Sequence, residues 1–69
     1  MNRSEVIGQR LKEARGDRSR GEIAEQAGVS VSAIQMYEDG ARIPRDTVKV
    51  RLANVLDRSV AYLFYPEFF

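Results

Sequence analysis

Sixty-nine residues, 43% hydrophobic and 30% charged, describe one small domain, which buries only about 60% of its extended surface and is marginally stable. Cysteine and histidine are both absent, so disulfides and the usual zinc ligand sets are excluded, and packing, helped by self-association, must hold the fold. The formal net charge is +1, so attraction to nucleic acid depends on where the charges lie rather than on their sum.

Ile7, Leu11 and Ala14 recur at helical spacing and predict a first amphipathic helix over 4–15. Gly16-Asp17-Arg18 breaks it. Ser19 and Glu22 have the spacing of a capping box and open a second helix that ends at Gly28. Ser30 caps a third helix running to about Asp39, and Gly40 terminates it. Ala41-Arg42-Ile43-Pro44 reads as a loop, with Pro44 holding the preceding residue extended. Val48, Leu52, Val55 and Leu56 mark the buried stripe of a fourth helix. After a turn at Asp57-Arg58, Ser59 caps a short fifth helix carrying Val60, Leu63 and Phe64, and residues 65–69 form an aromatic tail. No strand pattern or repeat occurs, so the expected fold is a single all-α domain of five helices over 1–69.

No apolar run approaches the ~20 residues of a membrane span, and the N-terminus lacks the apolar centre of a signal peptide. Asn2-Arg3-Ser4 spells a glycosylation acceptor, but the absence of cysteine fits the cytosol instead.

Residues 22–34 carry the most information. Ala24 is small enough for a second helix to approach closely, Gly28 adopts the positive φ of a tight turn without a Cβ penalty, and Ile34 plugs the wedge between the helices. This spacing suits two short helices crossing at a wide angle over about 20–39, the second offered to a DNA major groove. Arginines and lysines cluster on either side, at Arg10, Lys12, Arg15, Arg18 and Arg20, and again at Arg42, Arg45, Lys49 and Arg51.

The runs Arg10-Leu11-Lys12-Glu13-Ala14-Arg15, Ser19-Arg20-Gly21-Glu22-Ile23-Ala24, Gly28-Val29-Ser30 and Tyr37-Glu38-Asp39-Gly40 occur in an order that resembles the xenobiotic-response-element (XRE) family. These are bacterial and phage regulators of the Cro and phage-repressor type. Arg42-Ile43-Pro44 and Ser59-Val60-Ala61-Tyr62-Leu63-Phe64 extend the resemblance over nearly the whole chain. It implies a compact, lambda-repressor-like five-helix fold and a cytoplasmic, nucleoid-associated transcriptional regulator, most often a repressor, with no cofactor. Three departures stand out. Arg18 replaces a leucine after a link about two residues short, Arg20 replaces a common glutamine, and Asp57-Arg58-Ser59 replaces Gly-Val-Ser.

The resemblance directs Val31, Ser32 and Met36 toward base edges. Gln35 has the chemistry for a bidentate bond to adenine, Ser32 for a base or phosphate, and Val31 or Met36 for a thymine methyl. Ser19, Arg20, Arg42 and Arg45 are the expected phosphate contacts, Arg20 because it opens a helix whose first amides also face the DNA backbone. In related repressors an arginine late in the first helix pairs with a glutamate ending the third, which implies an ion pair between Arg15 and Glu38 here. Five of the six aromatics lie in the last eight residues. Phe68 and Phe69 are hard to bury in one small copy, so a symmetric homodimer joined near the C-terminus through Tyr65, Phe68 and Phe69, on an inverted-repeat operator, is expected. The rival is a tail that folds back over its own helices. With no histidine or cysteine and with scattered carboxylates, no catalytic or metal-binding arrangement emerges. An antitoxin or other protein-interaction module on the same fold is the alternative function.

Overall fold

The computed structural model of the protein describes residues 1–68. Five helices follow in the expected order: α1 (Arg3–Arg15), α2 (Arg20–Ala27), α3 (Val31–Glu38), α4 (Asp46–Leu56) and α5 (Val60–Phe64). No strand occurs among the described residues. Short polar side chains set the helix starts. Ser19, Ser30 and Ser59 each accept a bond from the backbone N–H three residues on, at 3.0 Å, which satisfies donors that a first helical turn leaves open. At Ser19 only this half of the expected capping box forms. The complete one opens α1, where Glu5 N donates to Asn2 Oδ1 at 2.9 Å and Asn2 N donates to Glu5 Oε1 at 3.1 Å. Asn2 is thus a helix cap, and its spacing to Glu5 is the sequence signal for it.

One face of every helix meets in a shared core. Ile7 and Leu11 of α1, Ile23 and Ala27 of α2, Ile34 of α3, Val48 and Leu52 of α4, and Leu63 and Phe64 of α5 are all buried. Each such side chain contributes roughly 1.5–3 kcal/mol when taken out of water. On α4 the expected stripe holds at Val48, Leu52 and Leu56, but Ala53 turns inward while Val55 is half-buried.

Gly28 joins α2 to α3 in the left-handed conformation (φ 70°, ψ 35°). The turn returns the Val29 N–H to Ala24 O at 3.0 Å, which closes carbonyls that a helix end leaves open. Ala24 is buried beneath it. Helix α1 rests on α3, α4 rests on α2, and α5 closes against α1 and α4. Helix α3 is therefore gripped from inside while its outer face stays clear.

Arg18 shows how the short link between α1 and α2 works without a leucine. Its Nη1 donates to Val55 O at 3.0 Å and its Nη2 to Ala14 O at 3.4 Å. A guanidinium against the C-terminal turns of two helices meets the negative ends of both dipoles. Residues between Tyr62 and Glu67 also contact α1 and α4. Arg3 donates to Phe64 O at 2.6 Å and to Glu67 Oε2 at 2.8 Å. Arg10 lies 4.6 Å from the Tyr62 ring centroid, and Lys49 Nζ reaches Tyr65 Oη at 3.3 Å.

Candidate nucleic-acid interface

The outer face of α3 follows from its period. Ile34 and Tyr37 point inward, which turns Val31 and Ser32 out at the first turn and leaves Gln35 and Met36 half-buried along the flank. Val31 is 51% exposed, a large aliphatic surface that neighbouring helices do not use. Gln35 is not isolated. Its Nε2 donates to Asp39 Oδ1 at 3.1 Å and to Oδ2 at 3.0 Å, one turn further along the same helix. The i,i+4 spacing of an amide and a carboxylate is the signal for this pair in the sequence.

Arg15 and Glu38 form the expected ion pair. Arg15 Nε lies 2.6 Å from Glu38 Oε2 and Nη2 lies 3.1 Å from Oε1, a two-pronged fork. The Glu38 side chain is 3% exposed and that of Arg15 14%, so water screens the pair poorly. Hydrogen bonding to Glu38 is the main cause that holds the Arg15 guanidinium above its ordinary value, against the opposing effect of burial. Arg15 also donates to Arg18 O at 2.8 Å, which ties the α1–α2 link to the same hub.

Arg20 adds what the sequence did not signal. Its Nε donates to Glu38 Oε1 at 2.9 Å, so one carboxylate serves two arginines. With its side chain 32% exposed, Arg20 keeps the rest of its guanidinium for an outside acceptor. Ser19 is exposed, and its hydroxyl keeps a donor while the oxygen caps α2.

On the flank of Tyr37 lies the second cationic group. Arg42 and Arg45 are exposed and have no side-chain hydrogen bond or ion pair among the described residues. With Val29 of the turn, Tyr37, Ile43 and Val48, they line an open groove of about 360 Å³. By contrast, the interior space beneath Arg15 and Glu38 is about 10 Å³, no more than one water occupies. Tyr65 is half-buried against Lys49 and Arg3, whereas Phe68 is 76% exposed. Phe69 lies outside the described residues.

Two short helices joined through a left-handed glycine, the second showing an uncharged outer face, define a helix-turn-helix protein, a class that reads the DNA major groove. The helix-turn-helix domain family matches residues 6–62, and the chain belongs to that family. DNA binding is the function this membership carries. Comparison with curated proteins finds no match. Among the described residues no helix is long and apolar enough to cross a membrane.

Proposed function

We propose that this protein is a sequence-specific, double-stranded DNA-binding repressor of the XRE type. In this role it has no catalytic activity and binds an inverted repeat in the cytoplasm as a homodimer. The observation that carries the proposal is the α3 face: uncharged side chains at Val31, Ser32, Gln35 and Met36, with Arg20 bonded to Glu38 at the end of the helix and the exposed Arg42 and Arg45 in the groove beside Tyr37. Base discrimination then rests on Gln35, Ser32 and apolar contacts, each good bidentate contact being worth about 1–3 kcal/mol, while phosphate contacts supply most of the affinity. Exposed Phe68 supports association of two copies near the C-terminus; to read two half-sites such a dimer must hold its α3 helices about 34–36 Å apart, one turn of the duplex.

Selection of bound DNA from a random pool tests the proposal. Recovery of an inverted repeat is expected, and no enrichment of any sequence overturns it. Arg42→Ala provides a second check. Loss of one phosphate contact reduces the slope of log K against log[salt] by about 0.9, and an unchanged slope removes Arg42 from the interface.

A further inference from the structure

We infer that Asp39 is a specificity-determining residue, acting through Gln35 to make that side chain select adenine over guanine. The inference rests on the proposed DNA-reading role of α3. A carboxylate only accepts hydrogen bonds, so the 3.0 and 3.1 Å contacts to both Asp39 oxygens place the amide nitrogen of Gln35 on the Asp39 side. The amide flip is thereby fixed, with Oε1 directed away from Asp39.

The consequence is a count of donors. A free glutamine amide has two N–H donors and one acceptor oxygen. It therefore has two ways to meet a purine in the major groove: donor and acceptor against adenine N7 and N6, or two donors against guanine N7 and O6. The two oxygens belong to one carboxylate and lie side by side as seen from Nε2, while the two N–H groups diverge, so one N–H serves both in a three-centre bond, and a single donor and the oxygen remain. That set matches adenine and fails guanine. The Asp39 carboxylate adds a second penalty, because its charge faces the two acceptor atoms of a guanine placed against Gln35.

Asp39 is available for this task. Glu38, the acid beside it and the last residue of α3, is occupied by Arg15 and Arg20, whereas Asp39 is the C-cap. Asp39 is exposed, and Gln35 is its side-chain partner. An isolated i,i+4 pair on a helix surface stabilises by only about 0.2–0.5 kcal/mol, so its removal leaves the fold standing and the effect appears in readout. Specificity arises here from excluding the wrong base as well as from bonding the right one.

The test is selection from randomised duplex DNA with the full chain, comparing wild type, Gln35→Ala and Asp39→Ala. In the wild-type motif one base pair is expected to show adenine over guanine by about tenfold, the yield of one good bidentate contact. Gln35→Ala flattens that position alone. Asp39→Ala is expected to reduce the ratio at the same position to about threefold or less, by admitting guanine, with the other positions and the salt slope unchanged. A wild-type motif whose adenine preference survives Asp39→Ala overturns the inference and leaves DNA recognition intact. An equal loss at every position also overturns it, since a purely structural role has that effect. Failure of the wild-type chain to enrich any sequence overturns both the DNA reading and the inference built on it.

Discussion

Replacing Gly8 by alanine is expected to lower the melting temperature by about 8–16 °C, although alanine is the better helix former by about 1 kcal/mol. Gly8 lies in the middle of α1, where the helix crosses the end of α3. A Cβ there would overlap Glu38 O and stand 2.8 Å from both Glu38 C and Tyr37 O. All three are backbone atoms of α3, so no side chain can rotate aside and the helices must separate. Overpacking of a rigid contact costs about 1–3 kcal/mol or more, and here the upper end applies. After the propensity gain is subtracted, a net loss of about 2 kcal/mol remains, and each kcal/mol shifts the midpoint of a domain this size by about 4–8 °C. Gly21→Ala supplies the control. A Cβ at Gly21 in α2 would meet Ser19 Oγ at 3.8 Å, ordinary contact, so propensity alone acts and the domain should gain about 0.5–1 kcal/mol. Thermal melts of the two variants check the pair: a raised midpoint for Gly8→Ala would show that α1 and α3 are not in backbone contact.

These two glycines mark where the sequence stops being informative. Helix starts were legible because Ser19, Ser30 and Ser59 act on the residues right after them, and the α2–α3 turn because Gly28 acts locally. The buried stripes at Ile7, Leu11, Val48 and Leu52 follow from period alone. Gly8 and Gly21 look alike in the chain, and only the approach of a helix thirty residues away separates them. Arginines raise the same difficulty. Arg20, Arg42 and Arg45 look alike as candidate phosphate contacts, yet Arg20 shares Glu38 with Arg15, and Arg18 nearby caps two helix ends. What commits a cation is the carbonyl or carboxylate that the fold brings to it, and that partner lies far off in the chain. The Gln35–Asp39 pair is the exception, local enough for helical spacing to signal it.

The Glu38 hub carries the other large effect. Glu38→Ala is expected to destabilise the domain by about 3 kcal/mol, the low end for breaking a buried ion pair, because Arg15 stays near the surface. The loss has two sources. Arg15, 14% exposed, is left without its countercharge, and Arg20, which shared the same carboxylate, now faces Arg15 as a like charge. Against a total of roughly 3–10 kcal/mol for a chain of 69 residues, that is a third or more of the stability. Arg20→Ala separates the contributions: the bidentate Arg15 fork survives, and the cost falls to about 1 kcal/mol, one partly exposed hydrogen-bonded contact. Alkaline titration does not mimic these variants. Arg15 is pushed up from its ordinary value mainly by its hydrogen bonds to Glu38, and a raised cation loses its stabilising contribution only as pH climbs through the folded-state value. Raising the pH from neutrality therefore leaves its contribution in place. Urea melts of Glu38→Ala, Arg15→Ala and the double variant check the hub, with a coupling energy of about 1–3 kcal/mol expected. Additive losses would mean that the two side chains act independently, and α3 would then be held by its apolar face and the Gly8 contact alone.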